Sequence, residues 1–149
     1  MSLSWSVNHF SELSNTELYK IIQLRLTVFS VEQNCPYQDA DDKDQEAYHL
    51  VAKNLSGELV AYARILPPGI SYKEVSIGRV ISSASVRGTG IGKELMQKSF
   101  DFVFEKYGRV PIRISAQCYL IRFYTELGFK VVGEEYIEDH IPHIEMVMG

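Results

Sequence analysis

The stretch "SVRGTGIGKEL", residues 85–95, decides how this chain is read. Glycines alternate at positions 88, 90 and 92 between Arg87 and Lys93, and the run leads directly into an amphipathic segment. Glycine lets a backbone turn sharply and come close to a ligand. A helix N-terminus adds unpaired N–H groups at the positive end of its dipole. With two basic side chains at the same place, the stretch reads as a seat for an anion, the alternative being a plain strand-to-helix turn. Two phosphate loops fail on inspection. In G-x-x-x-x-G-K-[ST], Arg87 stands where the first glycine belongs and Glu94 replaces the Ser or Thr. The dinucleotide fingerprint G-x-G-x-x-G is here G-x-G-x-G. Neither ATP nor NAD is favoured.

Working outward, strands and helices alternate. "SWSVNHF" (4–10) reads as a strand, and Ser14 or Asn15 caps a helix through about Val31, with Leu18, Ile21, Ile22, Val28 and Phe29 on one face. An acidic loop, "CPYQDADDKDQEAY" (35–48), follows. "HLVAKN" and "ELVAYARIL" form a hairpin around "LSGE", and "EVSIGRVIS" (74–82) is a further strand. The helix after the glycine loop runs from about Gly90 to Tyr107, with Ile91, Leu95, Phe102 and Val103 inward. "VPIRISAQ" (110–117) is a strand, "CYLIRFYTEL" (118–127) a short helix ended by Gly128, and "FKVVGEEYIE" and "HIEMVM" are two last strands. The order β-α-β-β-β-α-β-α-β-β implies an α/β domain with a mixed sheet.

At 149 residues and 46% hydrophobic content the chain fits one domain, residues 1–149, able to bury a core without metal or disulfide staples. The net charge of −4 argues against a general nucleic-acid binder. The N-terminus has no basic region followed by an apolar run, and no segment reaches membrane-spanning length, so a soluble cytoplasmic protein is expected. Cys35 and Cys118 read as free thiols. His49, His140, His143 and Cys35 fit no common ligand spacing, so no metal is expected.

Three arginines interrupt apolar patterns: Arg25, Arg64 and Arg79. Together they can line a pocket for an acceptor that carries a carboxylate as well as an amine, with Gln33 and Glu32 beside it. Alternatively they pair with Asp39, Asp41, Asp42 or Asp44 and fix the acidic loop. Both readings stay open on the sequence.

The motifs resemble one family. A strand followed by [R/Q]-x-x-G-x-[G/A] opening a helix is similar to the acetyl-CoA signature of the GNAT N-acetyltransferase superfamily, here Arg87, Gly90 and Gly92. Downstream, a strand ending "SAQ", a helix with Tyr124 and then "ELGF" (126–129) continue the resemblance. "LRLTVFSVEQNCPYQDADDKD", "IGRV", "AQCYLIRFYTELGF" and "EDHIPHIEM" look like the ElaA-like branch, except that His140 stands where that branch has a glycine.

The resemblance implies a mostly antiparallel central sheet with helices on both faces and a splayed strand pair. Pantetheine would lie along Val80, Ile81 and Ser82, near Gln117. The pyrophosphate would sit on Arg87, Gly88, Thr89, Gly90, Ile91, Gly92 and Lys93. The reaction implied is direct transfer of an acetyl group from acetyl-CoA to a small-molecule or peptide amine. Tyr124 would protonate the departing thiolate. Glu74 is the candidate base, with Glu32, His49 and His143 as rivals, and His143 also as a substrate contact. A homodimer is implied by the family alone. The alternatives are transfer of a longer acyl chain, as in acyl-homoserine-lactone synthases, and a non-catalytic CoA-binding sensor.

Overall fold

A computed structural model describes residues 2–35 and 37–149, so Pro36 of the acidic loop lies outside it. The expected order of elements is observed: β1 Ser4–His9, α1 Asn15–Leu26, β2 Tyr48–Lys53, β3 Leu59–Leu66, β4 Ser76–Ser82, α2 Ile91–Tyr107, β5 Ile112–Gln117, α3 Ile121–Glu126, β6 Lys130–Glu138 and β7 Ile141–Met148.

The strands divide into two antiparallel sheets, β1-β2-β3-β4 and β5-β7-β6. What joins them among the described residues is a single parallel bridge, Val75 to Ile112, with Arg113 N–H donating to the Val75 carbonyl at 2.9 Å. Beyond that point β4 and β5 diverge. The expected splayed pair is therefore present, and its opening is the cleft described below.

Each face of this arrangement has its own core. On one, Ile91, Leu95, Met96, Phe100 and Val103 of α2 pack with Ile112, Ile114, Phe129 and Met146. On the other, Ile21, Leu24 and Val28 cover Val51, Tyr62 and Ile81. Phe100, not Phe102, is the buried aromatic of α2; Phe102 is half-buried against Tyr48, with ring centroids 5.0 Å apart.

Three boundaries differ from expectation for local reasons. A capping box starts α1, the Ser14 hydroxyl accepting from Glu17 N–H and Glu17 from Ser14 N–H. The last part of the expected helix, Thr27–Glu32, follows α1 as a π-helix, closed by Gln33 N–H donating to the Val28 carbonyl at 3.1 Å. β4 begins at Ser76, two residues late, because Val75 is spent on the bridge between sheets. The helix expected over 118–127 opens as a 3-10 turn, Cys118–Leu120, before α3.

Candidate active site

The divergence of β4 and β5 leaves a cleft of about 460 Å³. Gly78, Arg79 and Val80 line one wall, Ser115 and Gln117 the other, and Tyr124 closes the end toward α3. A bulge shapes the first wall: Tyr62 pairs with Ile81 and Arg64 with Gly78, so Arg79 and Val80 together oppose Ala63. Arg79 takes a left-handed φ of 50° there. An extra residue in a bulge is left out of the ladder, so its peptide groups are free for a ligand.

The glycine loop follows β4, and Gly92 brings it against Phe123, the neighbour of Tyr124. Gly88 and Gly90 have φ of 80° and 81°, a conformation glycine adopts at little cost. Gly90 is the N-cap of α2 and offers no side-chain cap, leaving the first-turn N–H groups open. Gly92 packs beside α3: a Cβ there would be in ordinary van der Waals contact with the Phe123 ring at 3.4 Å. Thr89, Lys93, Gly88 and Gly90 are exposed, while Ile91 is buried as an anchor in the core. These uncapped donors and exposed cations suit the phosphates of a nucleotide-bearing thioester. Arg87 is already engaged, its Nη2 lying 2.6 Å from Glu32 Oε1 and 2.7 Å from the Ser82 carbonyl oxygen. Val80 faces the cleft, and Ile81 points to the opposite core, so Ile81 can meet a ligand only through its backbone.

Tyr124 is 7% exposed, its ring edge-on to Phe123 and Phe129 at centroid distances of 5.1 and 5.8 Å. Burial pushes its phenol up to about 12, so the hydroxyl keeps its proton through the neutral range.

The three arginines lie together, and they are paired. Arg25 Nε is 2.8 Å from Asp39, whose other oxygen is 3.0 Å from Arg79 Nε. Arg79 Nη2 reaches Asp41 at 3.4 Å, Asp41 holds Arg64 at 2.7 Å, Arg64 meets Asp44 at 3.0 Å, and Asp44 returns to Arg25 at 2.7 Å. Six charges alternate in a closed ring that ties α1, the acidic loop, β3 and β4 together. Burial alone would raise the Asp41 and Asp44 carboxyls; hydrogen bonds and charge from the arginines outweigh it and hold both below the usual carboxylate range. The second sequence reading of these arginines, as fasteners of the acidic loop, is the one observed. Arg25 is fully buried and off the cleft, whereas Arg64 and Arg79 lie along its lining. Asp42 takes no part in the ring.

The candidate bases separate clearly. Glu74 does not line the cleft: Arg113 grips both its oxygens at 3.1 Å, and that hydrogen bonding lowers its carboxyl, the opposite of what a base near neutrality needs. Glu32 sits on Arg87, while Gln33 next to it does line the cleft. His49 is buried away from the cleft between the Tyr62 hydroxyl at 2.6 Å and the Asp44 carbonyl at 3.0 Å, and burial lowers its ring. His143 lines the cleft. Sequence reasoning passed over Tyr136 and Glu138, which flank His143, and Tyr72 beside Tyr136; the alternation of Tyr136 and Glu138 on β6 was visible but had no partner to face. Among the described residues no cluster of His, Cys, Asp or Glu could hold a metal, and no helix is long and apolar enough to cross a membrane.

Comparison with known proteins agrees with this geometry. The family model of the GNAT acetyltransferase domain matches residues 15–149, and the chain belongs to that family. It is 46% identical to Protein ElaA of Escherichia coli K12 over 147 residues, which cover 97% of this chain and 95% of ElaA. Among solved structures, E. coli ElaA aligns with a TM-score of 0.91 at 43% identity, over 99% of this chain and 100% of that one. An acyl-CoA N-acyltransferase from Pseudomonas aeruginosa aligns with a TM-score of 0.94 at 42% identity, also over 99% and 100%. A CoA-dependent acyl-homoserine lactone synthase, 15% identical with a TM-score of 0.79 over 98% of this chain and 82% of that one, shares the fold. A GNAT fold carries with it an acyl-CoA co-substrate and an acyl-transfer chemistry.

Proposed function

We propose that the protein transfers an acetyl group from acetyl-CoA directly to the amine of a small molecule or peptide, with Tyr124 as general acid. The observation that carries this is a cleft walled by the bulged edge of β4 and ended by the buried Tyr124, with the uncapped, glycine-rich start of α2 packed by Gly92 against Phe123, the residue before Tyr124.

The residues divide the work. The N–H groups of residues 87–92, with Lys93, hold the pyrophosphate, and the free edge of β4 at Val80–Ser82 takes the pantetheine amides, with Gln117 opposite. The amine nitrogen attacks the thioester carbonyl carbon, and collapse of the tetrahedral intermediate breaks the carbon–sulfur bond. The leaving thiolate takes the Tyr124 proton. A phenol held near 12 is a reservoir that stays filled at neutral pH, and it is regained from the proton the amine sheds.

Calorimetric titration with acetyl-CoA, hexanoyl-CoA, CoA and ATP in parallel tests the assignment. Binding of the CoA forms but not ATP, lost in Gly90→Glu, supports the phosphate seat; no binding of any CoA form overturns it. Acetyl transfer faster than hexanoyl transfer supports the short acyl group. A wild-type protein that binds acetyl-CoA but gives no thiol release with any amine overturns the enzymatic reading in favour of a sensor.

A further inference from the structure

Resting on the acyl-transfer reading, we infer that the end of the cleft beside the β6–β7 turn takes a cationic primary amine with no carboxylate beside it, which binds to Glu138 and gives its proton to Nε2 of His143.

His143 lies on β7, opposite Gln117 of β5 and Tyr136 of β6. Its side chain is 9% exposed. Nδ1 is 2.7 Å from the Ile141 carbonyl oxygen. A carbonyl only accepts, so Nδ1 carries the hydrogen and the lone pair of the neutral ring is on Nε2. Tyr136 stacks on the imidazole with centroids 6.1 Å apart and planes 25° apart, and its own hydroxyl is tied to Ser115. The ring is thus fixed in position and tautomer. Nε2 stands 3.6 Å from Glu138 Oε2, too far for a hydrogen bond between them. A buried base and a carboxylate thus lie side by side, close enough for one donor seated over both atoms to reach each at hydrogen-bond distance. An ammonium has three N–H donors and can serve both at once.

The surrounding charge selects against a carboxylate. The arginines that face the cleft are spent in a ring of three guanidinium groups and three carboxylates, which is neutral as a whole. Lys43 is turned onto the Ser71 hydroxyl at 2.7 Å. Among the described residues Glu138 meets no lysine or arginine, and Asp139 next to it also lines the cleft. The balance at this end is negative, which attracts ammonium and repels carboxylate. The groups that face His143 are Glu138 and Tyr136 from β6, Asp139 in the turn, Ser115 and Gln117 from β5, Glu145 along β7 and Tyr124 across the cleft. Tyr72 lies behind Tyr136, and Arg113 is bound to Glu74 and Glu145.

The protons balance. The ammonium gives one to Nε2, and the resulting imidazolium lies against Glu138. The free amine forms the carbon–nitrogen bond, the carbon–sulfur bond breaks, and Tyr124 protonates the thiolate. The nitrogen's second proton restores Tyr124, and the imidazolium proton passes to water.

The test uses full-length protein, thiol release with acetyl-CoA, and matched acceptors: tyramine against tyrosine, phenethylamine against phenylalanine, cadaverine against lysine. Each amine is expected to exceed its amino acid by at least about tenfold in kcat/KM, the ratio expected of one unfavourable charge contact. His143→Gln is expected to lower kcat/KM about 100-fold near neutral pH, with the loss shrinking as the pH rises and free amine becomes abundant. Glu138→Gln, at an exposed position that does not threaten folding, is expected to raise the amine KM about tenfold with little change in kcat. Equal or better use of the amino acids overturns the inference, as does a His143→Gln pH profile parallel to wild type. Acetyl-CoA binding without turnover of any of these amines also overturns it while leaving the thioester seat intact. Failure to bind acetyl-CoA at all overturns the acyl-transfer reading, and this inference with it.

Discussion

The Glu32 carboxylate lies 2.6 Å from the Arg87 guanidinium, so an acid at the end of the π-wound turn after α1 occupies the first basic residue of the glycine loop. The two side chains remain 33% and 43% exposed, which keeps the pair weak, at about 0.2–1 kcal/mol. Phosphate competes with Glu32 for the same donors. Glu32→Gln is therefore expected to tighten acetyl-CoA binding about twofold to fivefold by calorimetry. Arg87→Gln is expected to weaken it. Weaker binding in Glu32→Gln would show that the carboxylate positions Arg87 instead of competing for it.

Tyr124→Phe keeps the ring against Phe123 and Phe129 and removes only the hydroxyl. Its expected effect is a fall in kcat of about 100-fold or more, with acetyl-CoA affinity unchanged. Single-turnover thiol release, compared with calorimetric binding on the same sample, checks both halves. Turnover equal to wild type would remove the proposed acid.

The ring of alternating charges predicts a steep response to a single deletion. Asp44→Asn leaves Arg25 and Arg64 buried and short of a counter-charge, a loss of about 3–5 kcal/mol by urea unfolding. The pH dependence follows from the direction of the carboxyl shifts. Asp41 and Asp44 are held below their unfolded values, so their contribution is complete above about pH 4 and disappears as pH falls through the folded values. Unfolding midpoints measured from pH 7 down to pH 3 should hold steady and then fall. A midpoint that drops already between pH 7 and 5 would contradict this origin.

The β6–β7 turn predicts a gain. Asp139 and His140 both have left-handed backbones, with φ of 50° and 66°. Turns of this kind favour glycine at the second position, because a Cβ there costs about 1 kcal/mol. His140→Gly is expected to raise the melting temperature by about 2–4 °C in a thermal scan.

Much of this was legible from local pattern. The glycine loop, the order of ten elements and the pairing of Tyr124 with the stretch before Gly128 each lie within a short window, where periodicity and turn chemistry act. The site's electrostatics were not, because they depend on partners far apart in the chain. Arg79 and Asp39 are 40 residues apart. The sequence allowed the arginines either a substrate or the acidic loop, and only folding brought six charges into register. Glu74 looked like a base for the same reason: nothing nearby discloses that Arg113, 39 residues later, takes both its oxygens. The face of β6 that frames His143 acquires meaning only once β7 lies beside it.

Finally, the two sheets touch along their facing edges through one bridge, Val75 to Ile112. A thioester seated in the opening, as proposed, supplies hydrogen bonds that neither edge can make alone, and binds the folded chain but not the unfolded one. At a hundredfold excess over its dissociation constant such a ligand adds about 2.7 kcal/mol to stability. The seam is then the part of the fold whose closure depends on the donor, and a protease is expected to cut the unliganded chain faster than the same chain saturated with acetyl-CoA.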